Sequence, residues 1–251
     1  MVTGAAGGIG SALARRFHAA GARVVLADRV APDRVAADLD GAVALSVDLS
    51  SEAGNIALID AAEAHFGTID LFFANAGVAL GSDPMDDEEL WEMSFNINTH
   101  AHRWAARRLL PAWLERSDGY FASTASAAGL LAQIGSAPYS LSKHAAVAFA
   151  EWMSITYGAR GLKVSCLCPQ GVNTAMLNSD SPVGTGGDVV RSVGEVLEPA
   201  DVAQIVYEGI TDERFLILPH PEVADYLKFK GSDPMKWIGG MQRLQRRTLG
   251  Y

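Results

Sequence analysis

Short apolar runs alternate with longer amphipathic stretches along this chain, and that alternation narrows its fold more than any other feature. Candidate strands are Arg23–Ala27, Ala42–Val47, Asp70–Ala74, Tyr120–Thr124, Lys163–Cys168 and Phe215–Leu218. Most are almost continuously apolar, as strands covered on both faces are. Helical patterns fall at Ile9–Ala20, Ser51–Phe66, Asp87–Leu114, Pro138–Arg160 and Pro199–Thr211. The alternation predicts an α/β protein with a parallel sheet and helices on both faces. A length of 251 residues suits one α/β domain or two small ones. No repeat or low-complexity linker divides it, so a single domain over 1–251 is expected. The Gly-, Ser- and Asp-rich stretch Asn178–Val193 reads as a loop inside that domain rather than a boundary.

The chain opens V-T-G-A-A-G-G-I-G, with Gly4, Gly7, Gly8 and Gly10 between a strand and a helix. Glycines let the backbone turn tightly and approach a pyrophosphate, which a helix N-terminus meets with N–H groups and a positive dipole end. A tight strand–helix connection alone is the bland alternative. Asp28, at the end of the second strand, favours the phosphate reading, because a carboxylate there can accept a bond from a ribose hydroxyl.

Ser126, Tyr139 and Lys143 are the candidate chemical groups. On a helix, Tyr139 and Lys143 lie at i and i+4 and share a face. An ammonium beside a phenol stabilises the phenolate and makes a general base near neutral pH. The serine hydroxyl can hold a substrate oxygen. A second such pair, Tyr226 and Lys230, lacks the upstream serine, since position 213 is Glu213, and reads as a surface pair on a C-terminal helix.

The glycine spacing is T-G-x-x-x-G-x-G, and with it the chain from Val2 to about Leu218 resembles the short-chain dehydrogenase/reductase family. Asn75-Ala76-Gly77 after the fourth strand, Asp48-Leu49 after the third, and Pro169, Val172 and Thr174 after the sixth match further family elements. Trp91 and Pro111 align Asn98 with the family's catalytic asparagine, ahead of the competing Asn96. The resemblance implies a Rossmann-type doubly wound sheet in the order 3-2-1-4-5-6. It implies Tyr139 as acid/base, Lys143 tuning it and binding the nicotinamide ribose, Ser126 polarising the substrate oxygen, and Asn98 holding a water next to Lys143. Gly4, Gly7, Gly8, Ile9, Gly10, Asp28, Arg29, Asp48, Leu49, Asn75, Ala76, Gly77, Tyr139, Lys143, Pro169, Val172 and Thr174 are the implied cofactor contacts. Asp28 favours NAD over NADP, and Gly7 stands where NADP users often carry a basic residue; Arg29 is the dissenting side chain. The expected reaction is interconversion of a secondary alcohol and a ketone. A catalytically silent dinucleotide-binding protein on the same fold is the alternative.

The resemblance also implies a substrate lid over 174–197 and a homodimer or homotetramer through the helices Asp87–Leu114 and Pro138–Arg160. Trp104, Trp113, Phe149, Trp152 and Met153 give those helices more apolar surface than one sheet face needs. Three departures stand out. Gln170 replaces the family's glycine after Pro169, Ala101 replaces a common glycine, and Pro219-His220-Pro221 opens a tail over 219–251 in place of the usual Gly-Gly ending. The tail puts the common tetramer contact in doubt. It also hints at relatives that act on aryl alcohols. Leu130, Leu131, Ile134, Met176, Leu177 and Trp237 suggest an apolar substrate pocket, whereas His100, His102 and His144 read as structural.

The formal charge of −9 argues against nucleic acid or anionic membrane as partner, and the basic residues between Lys228 and Arg247 read as a solvated helix face. Cys166 and Cys168 lack companion ligands, so no metal is expected, and they read as buried thiols in a reducing cytoplasm. No apolar run reaches the roughly 20 residues that span a bilayer, and no secretory signal is expected. Only Met1 and Val2 precede Thr3-Gly4, short of the usual strand of about 5–6 residues, so the natural chain is expected to begin upstream.

Overall fold

The computed structural model of the protein describes residues 1–178, 189–191 and 194–250. Its strands are β1 (Val2–Thr3), β2 (Val25–Asp28), β3 (Val43–Ser46), β4 (Leu71–Ala74), β5 (Gly119–Thr124), β6 (Leu162–Leu167) and β7 (Leu216–Ile217). They form one parallel sheet in the order β3-β2-β1-β4-β5-β6-β7, the expected order with a seventh strand at the edge. The stub β1 pairs on both sides, Val2 with Leu26 and with Phe73. Met1 extends this ladder: its carbonyl accepts from Phe73 N at 2.9 Å and its amine donates to the Leu71 carbonyl at 2.8 Å.

The helices are α1 (Gly8–Ala19), α2 (Asp33–Ala37), α3 (Glu52–Phe66), α4 (Glu88–Phe95), α5 (Ala101–Arg116), α6 (Ala128–Leu131), α7 (Ala137–Tyr157), α8 (Ala175–Asn178), α9 (Pro199–Thr211), α10 (Glu222–Ser232) and α11 (Pro234–Leu249). Strand alternation divides the core into two layers. Phe72 and Phe121 join Trp113 and Met153 on one face, while Phe73 joins Leu13, Phe17 and Leu26 on the other. On the second face α1 meets α9, where the Arg16 guanidinium lies 3.4 Å above the Tyr207 ring.

Two expectations about the long helices change. Asp87–Leu114 is not one helix: a π-helical turn, Asn96–His100, separates α4 from α5. The wide turn lets Asn98 face inward, where its amide finds partners instead of water. The apolar surplus is also smaller than the sequence suggests. Trp113 and Met153 are core residues, Phe149 packs its ring edge-on against Phe121, and Trp104 is half-buried. Of the five, only Trp152 is exposed.

The tail folds as α10 and α11, with Asp233 capping the second through Lys236 N at 3.0 Å. Tyr226 and Phe229 each pack on Trp237 with ring centroids 6.3 Å apart. Lys230 donates to the Leu130 carbonyl at 2.6 Å, which ties the tail to α6. Of the expected lid 174–197, α8 is described; residues 179–188 and 192–193 lie outside the described residues.

Candidate active site

The winding direction reverses between β1 and β4, and a cleft of about 850 Å³ opens there at the C-terminal ends of the strands. Gly4 leaves β1 with φ +65, and a Cβ on it would stand 2.8 Å from Ala76 Cα. Gly10 does not line the cleft: it packs behind the turn, where a Cβ would fall 2.1 Å from the Gly4 carbonyl oxygen. It shapes the cradle from the rear. Gly7, the residue before α1, faces open space. Glycine at these positions therefore creates the room and the exposed N–H groups that a pyrophosphate needs.

Two hydroxyls that the expected site did not include, Thr3 and Thr124, hold the cradle together with Asn75. Thr3 Oγ1 accepts from Asn75 N at 2.9 Å and Ala76 N at 3.0 Å. Asn75 Nδ2 donates to the Thr3 carbonyl at 3.0 Å, and its Oδ1 accepts from Thr124 Oγ1 at 2.9 Å. One asparagine thus ties together the ends of β1, β4 and β5. At the other end of the cleft, the Asp28 carboxylate accepts from Ala6 N at 3.0 Å and Arg29 N at 2.7 Å. Arg29, Asp48 and Leu49 line the same end. Bonds from Ser50, backbone before side chain, hold the Asp48 carboxyl below its usual pKa, with the Arg29 charge adding to them. An open glycine cradle ending at a fixed, acceptor-only carboxylate suits a dinucleotide with a free ribose hydroxyl.

Ser126, Tyr139 and Lys143 meet at the opposite end, beside Gly77, Pro169, Val172 and Thr174. Lys143 Nζ donates to the Thr124 carbonyl at 2.8 Å, and burial lowers its pKa to about 8. Burial raises the Tyr139 phenol above its usual value, while the Ser126 hydroxyl pulls the other way. Asn98 is fully buried and stands behind the cleft wall rather than in it. Its Oδ1 accepts from Val78 N, and its Nδ2 donates to the Val78 carbonyl, both at 2.9 Å. Nδ2 also donates to Ser142 Oγ at 3.0 Å, and that hydroxyl donates to the Tyr139 carbonyl at 3.1 Å. Ser142, not singled out from sequence, thus links Asn98 to the turn of α7 that carries Tyr139. His144 bonds the Ser140 carbonyl at 2.8 Å, a structural contact.

A second cavity of about 320 Å³ adjoins the first, and Ser126, Gln133, Gln170 and Val190 line both. Gln170 is therefore at the reacting end, and its Oε1 is buried with no hydrogen-bond partner. Leu131, Ile134 and Trp237 line the second cavity, and Met176 and Leu177 line the cleft, as their sequence positions suggest. Two expectations fail here. Leu130 belongs to the core rather than the pocket, because α6 turns it toward the sheet side. Tyr226 is no mere surface residue: α10 folds back and sets it in the cavity wall. Sequence reading missed this because the contact joins segments about a hundred residues apart.

Comparison with known proteins agrees with this geometry. A family profile described as short chain dehydrogenase matches residues 1–183. A 1-deoxy-11-beta-hydroxypentalenate dehydrogenase of Streptomyces exfoliatus is 36% identical over 95% of this chain and 88% of that protein. Estradiol 17-beta-dehydrogenase 11 of Homo sapiens is 30% identical over 97% of this chain and 81% of that protein. The crystal structure of a short chain dehydrogenase/reductase from Burkholderia phymatum in complex with NAD superposes with a TM-score of 0.81, at 28% identity and 92% coverage of both chains. The chain belongs to the short chain dehydrogenase family of oxidoreductases.

Proposed function

We propose that the protein is an NAD(H)-dependent oxidoreductase that interconverts an apolar secondary alcohol and its ketone. One observation carries the reading: Ser126, Tyr139 and Lys143 converge where the glycine-cradled cleft meets an apolar cavity. When bound, the nicotinamide supplies the hydride chemistry. Tyr139 takes the hydroxyl proton in oxidation and returns it in reduction. Ser126 orients and polarises the substrate oxygen. Lys143 stabilises the phenolate and reaches the nicotinamide ribose, and Asn98 with Ser142 positions the helix turn that carries both. Gly4, Gly7, Gly8 and Ile9 would cradle the pyrophosphate, with Gly10 behind them. Asp28 and Arg29 would meet the adenosine ribose, Asp48 and Leu49 the adenine, and Asn75, Ala76, Gly77, Pro169, Val172 and Thr174 the nicotinamide half.

NAD is the preferred form because the Asp28 carboxylate accepts from a ribose hydroxyl and repels a phosphate. The NAD named with the Burkholderia phymatum structure supports this preference. The hydroxypentalenate and estradiol named for the two relatives support an apolar substrate. A homodimer or homotetramer is expected through α7. Leu141, Trp152 and Ile155 are 51%, 53% and 77% exposed at i, i+11 and i+14, one apolar stripe along that helix. The free, buried Cys166 and Cys168 suit a reducing cytoplasm.

The test is NADH formation against benzylic, steroid, terpenoid and short aliphatic secondary alcohols, with Tyr139→Phe as the control. Turnover of at least one bulky apolar alcohol is expected, and Tyr139→Phe should lower kcat about 10²–10⁴-fold while NAD still binds. Activity in Tyr139→Phe above half that of the wild type would remove Tyr139 from the chemistry.

A further inference from the structure

The tail does more than close the fold. On α11, Trp237, Met241 and Leu244 recur at i, i+4 and i+7 and face the second cavity, and Arg247 follows one turn later on the same face. Among the described residues, Arg247 is the sole charged one in that cavity's lining. It has no ion pair or hydrogen bond among the described residues, whereas Lys236 on the same helix pairs with Asp233 at 3.0 Å. α11 carries Lys236, Arg243, Arg246 and Arg247 and no acidic residue, in a chain whose formal charge is −9. A cation is thus set at one side of an apolar cavity that is lined elsewhere by Ser126.

We propose that this cavity holds the body of the substrate and that Arg247 receives a carboxylate at the end remote from the reacting oxygen. The substrate class is then an apolar hydroxy acid or its oxo acid. This rests on the alcohol–ketone reading only for which end reacts. The volume of about 320 Å³ lies at the lower end of the usual range for small-molecule sites, so the class is compact rather than long-chained. A guanidinium fork matches a carboxylate with two parallel N–H···O bonds; Arg247 is exposed, so the pair would sit at the mouth of the cavity, with apolar wall on one side. The neighbouring Gln170 amide lies toward the reacting end, so the remote anion is left to Arg247.

Binding rather than turnover tests this, so the subsite can fail while the alcohol–ketone reading stands, and the reverse. The full chain is titrated calorimetrically, with and without NAD, with para-acetylbenzoate and its methyl ester, and with an oxoadamantane carboxylate and its methyl ester. Oxidised NAD and a ketone cannot react with each other, so only affinity is read. In at least one pair the acid should bind roughly tenfold tighter than the ester, the worth of a charge-assisted bond in a half-open site. Arg247→Met should erase that preference and leave the ester unchanged, Arg247→Lys should keep part of it, and Arg243→Met should keep all of it. Equal affinity for acid and ester in both pairs overturns the proposal. So does a preference that survives Arg247→Met, or one that Arg243→Met removes as fully, since a diffuse helix charge then explains it.

Discussion

The Lys143 ammonium donates to the Thr124 carbonyl at 2.8 Å, and its nitrogen stands 5.7 Å from the centroid of the Tyr139 ring. Spacing alone suggests that the lysine lowers the pKa of the tyrosine. In the free protein burial dominates both groups: the phenol is raised, and Lys143 is lowered to about 8. A retained ammonium would favour the phenolate, and a phenolate would hold the ammonium. Oxidation needs the phenolate and reduction the phenol. The kcat/KM for alcohol oxidation should thus rise with pH as the phenol ionises, and that for ketone reduction should fall over the same interval. Lys143→Met should push the oxidation limb to higher pH. Profiles for the wild type that stay flat up to the alkaline limit of its stability would remove the pair from the rate equation.

A second titration concerns stability. His102 is fully buried on α5, neither ring nitrogen has a partner, and burial with the nearby Lys143 charge lowers its pKa to about 3. The unfolded chain, with histidine near 6.5, binds more protons than the folded one between those two values. Stability therefore falls as pH drops through that window, by roughly 2 kcal/mol between pH 7 and pH 5 from this residue alone. His102→Leu loses no hydrogen bond and should remove that part of the acid sensitivity. Urea midpoints at the two pH values read it, and an equal loss in variant and wild type would assign the sensitivity to other groups.

The parts legible in the sequence were those set by local pattern. The strand positions and the glycine turn follow from short-range spacing, the sheet order follows from the family resemblance, and the structure has all three. Part of the cleft wall was legible for the same reason: Gly4, Asp28, Asn75 and Ser126 lie at or just past strand ends, and in a doubly wound sheet strand ends share one edge. Contacts between distant segments were not legible. Nothing near Thr3 says that its hydroxyl will meet Asn75, or that Ser142 will join Asn98 to Tyr139. The π-turn at Asn96–His100 has no periodicity of its own to read. The tail was read as a charged helix face, because its apolar positions become a cavity wall only when α10 folds back onto α6.

The Asp28 carboxylate has two tasks, and a substitution separates them. It accepts from Ala6 N and Arg29 N, which fixes the glycine turn against the end of β2, and it presents charge to the ribose end of the cleft. Asp28→Asn keeps the shape and one of the two acceptor oxygens, turns the other into a donor, and removes the charge. The kcat/KM with NAD should fall about tenfold, while that with NADP should rise, since the carboxylate that repels a 2′-phosphate is gone and Arg29 remains. An NADP/NAD ratio unmoved in Asp28→Asn would show that the charge at this position does not select the cofactor.

His220 joins the backbone at Gln170 and Gly171 to that at Glu195. Its Nδ1 accepts from Gln170 N at 3.1 Å, so in the neutral ring the proton is on Nε2. That Nε2–H is shared between the Gly171 carbonyl at 3.1 Å and the Glu195 carbonyl at 3.2 Å. The ring is 2% exposed, and Pro219 and Pro221 flank it in the sequence. One imidazole therefore fixes the backbone of Gln170 at the reacting end and both flanks of the segment between Gly171 and Glu195. His220→Ala leaves one N–H and two carbonyls without this partner, at a cost of about 1–3 kcal/mol for a buried group left unsatisfied. His220→Gln, whose amide has a donor and an acceptor, should recover part of it. If the ring serves to register the lid, His220→Ala should raise the KM for substrate several-fold more than it lowers kcat, and leave the Kd of NAD within about twofold. A variant that loses stability but keeps its KM would confine His220 to folding.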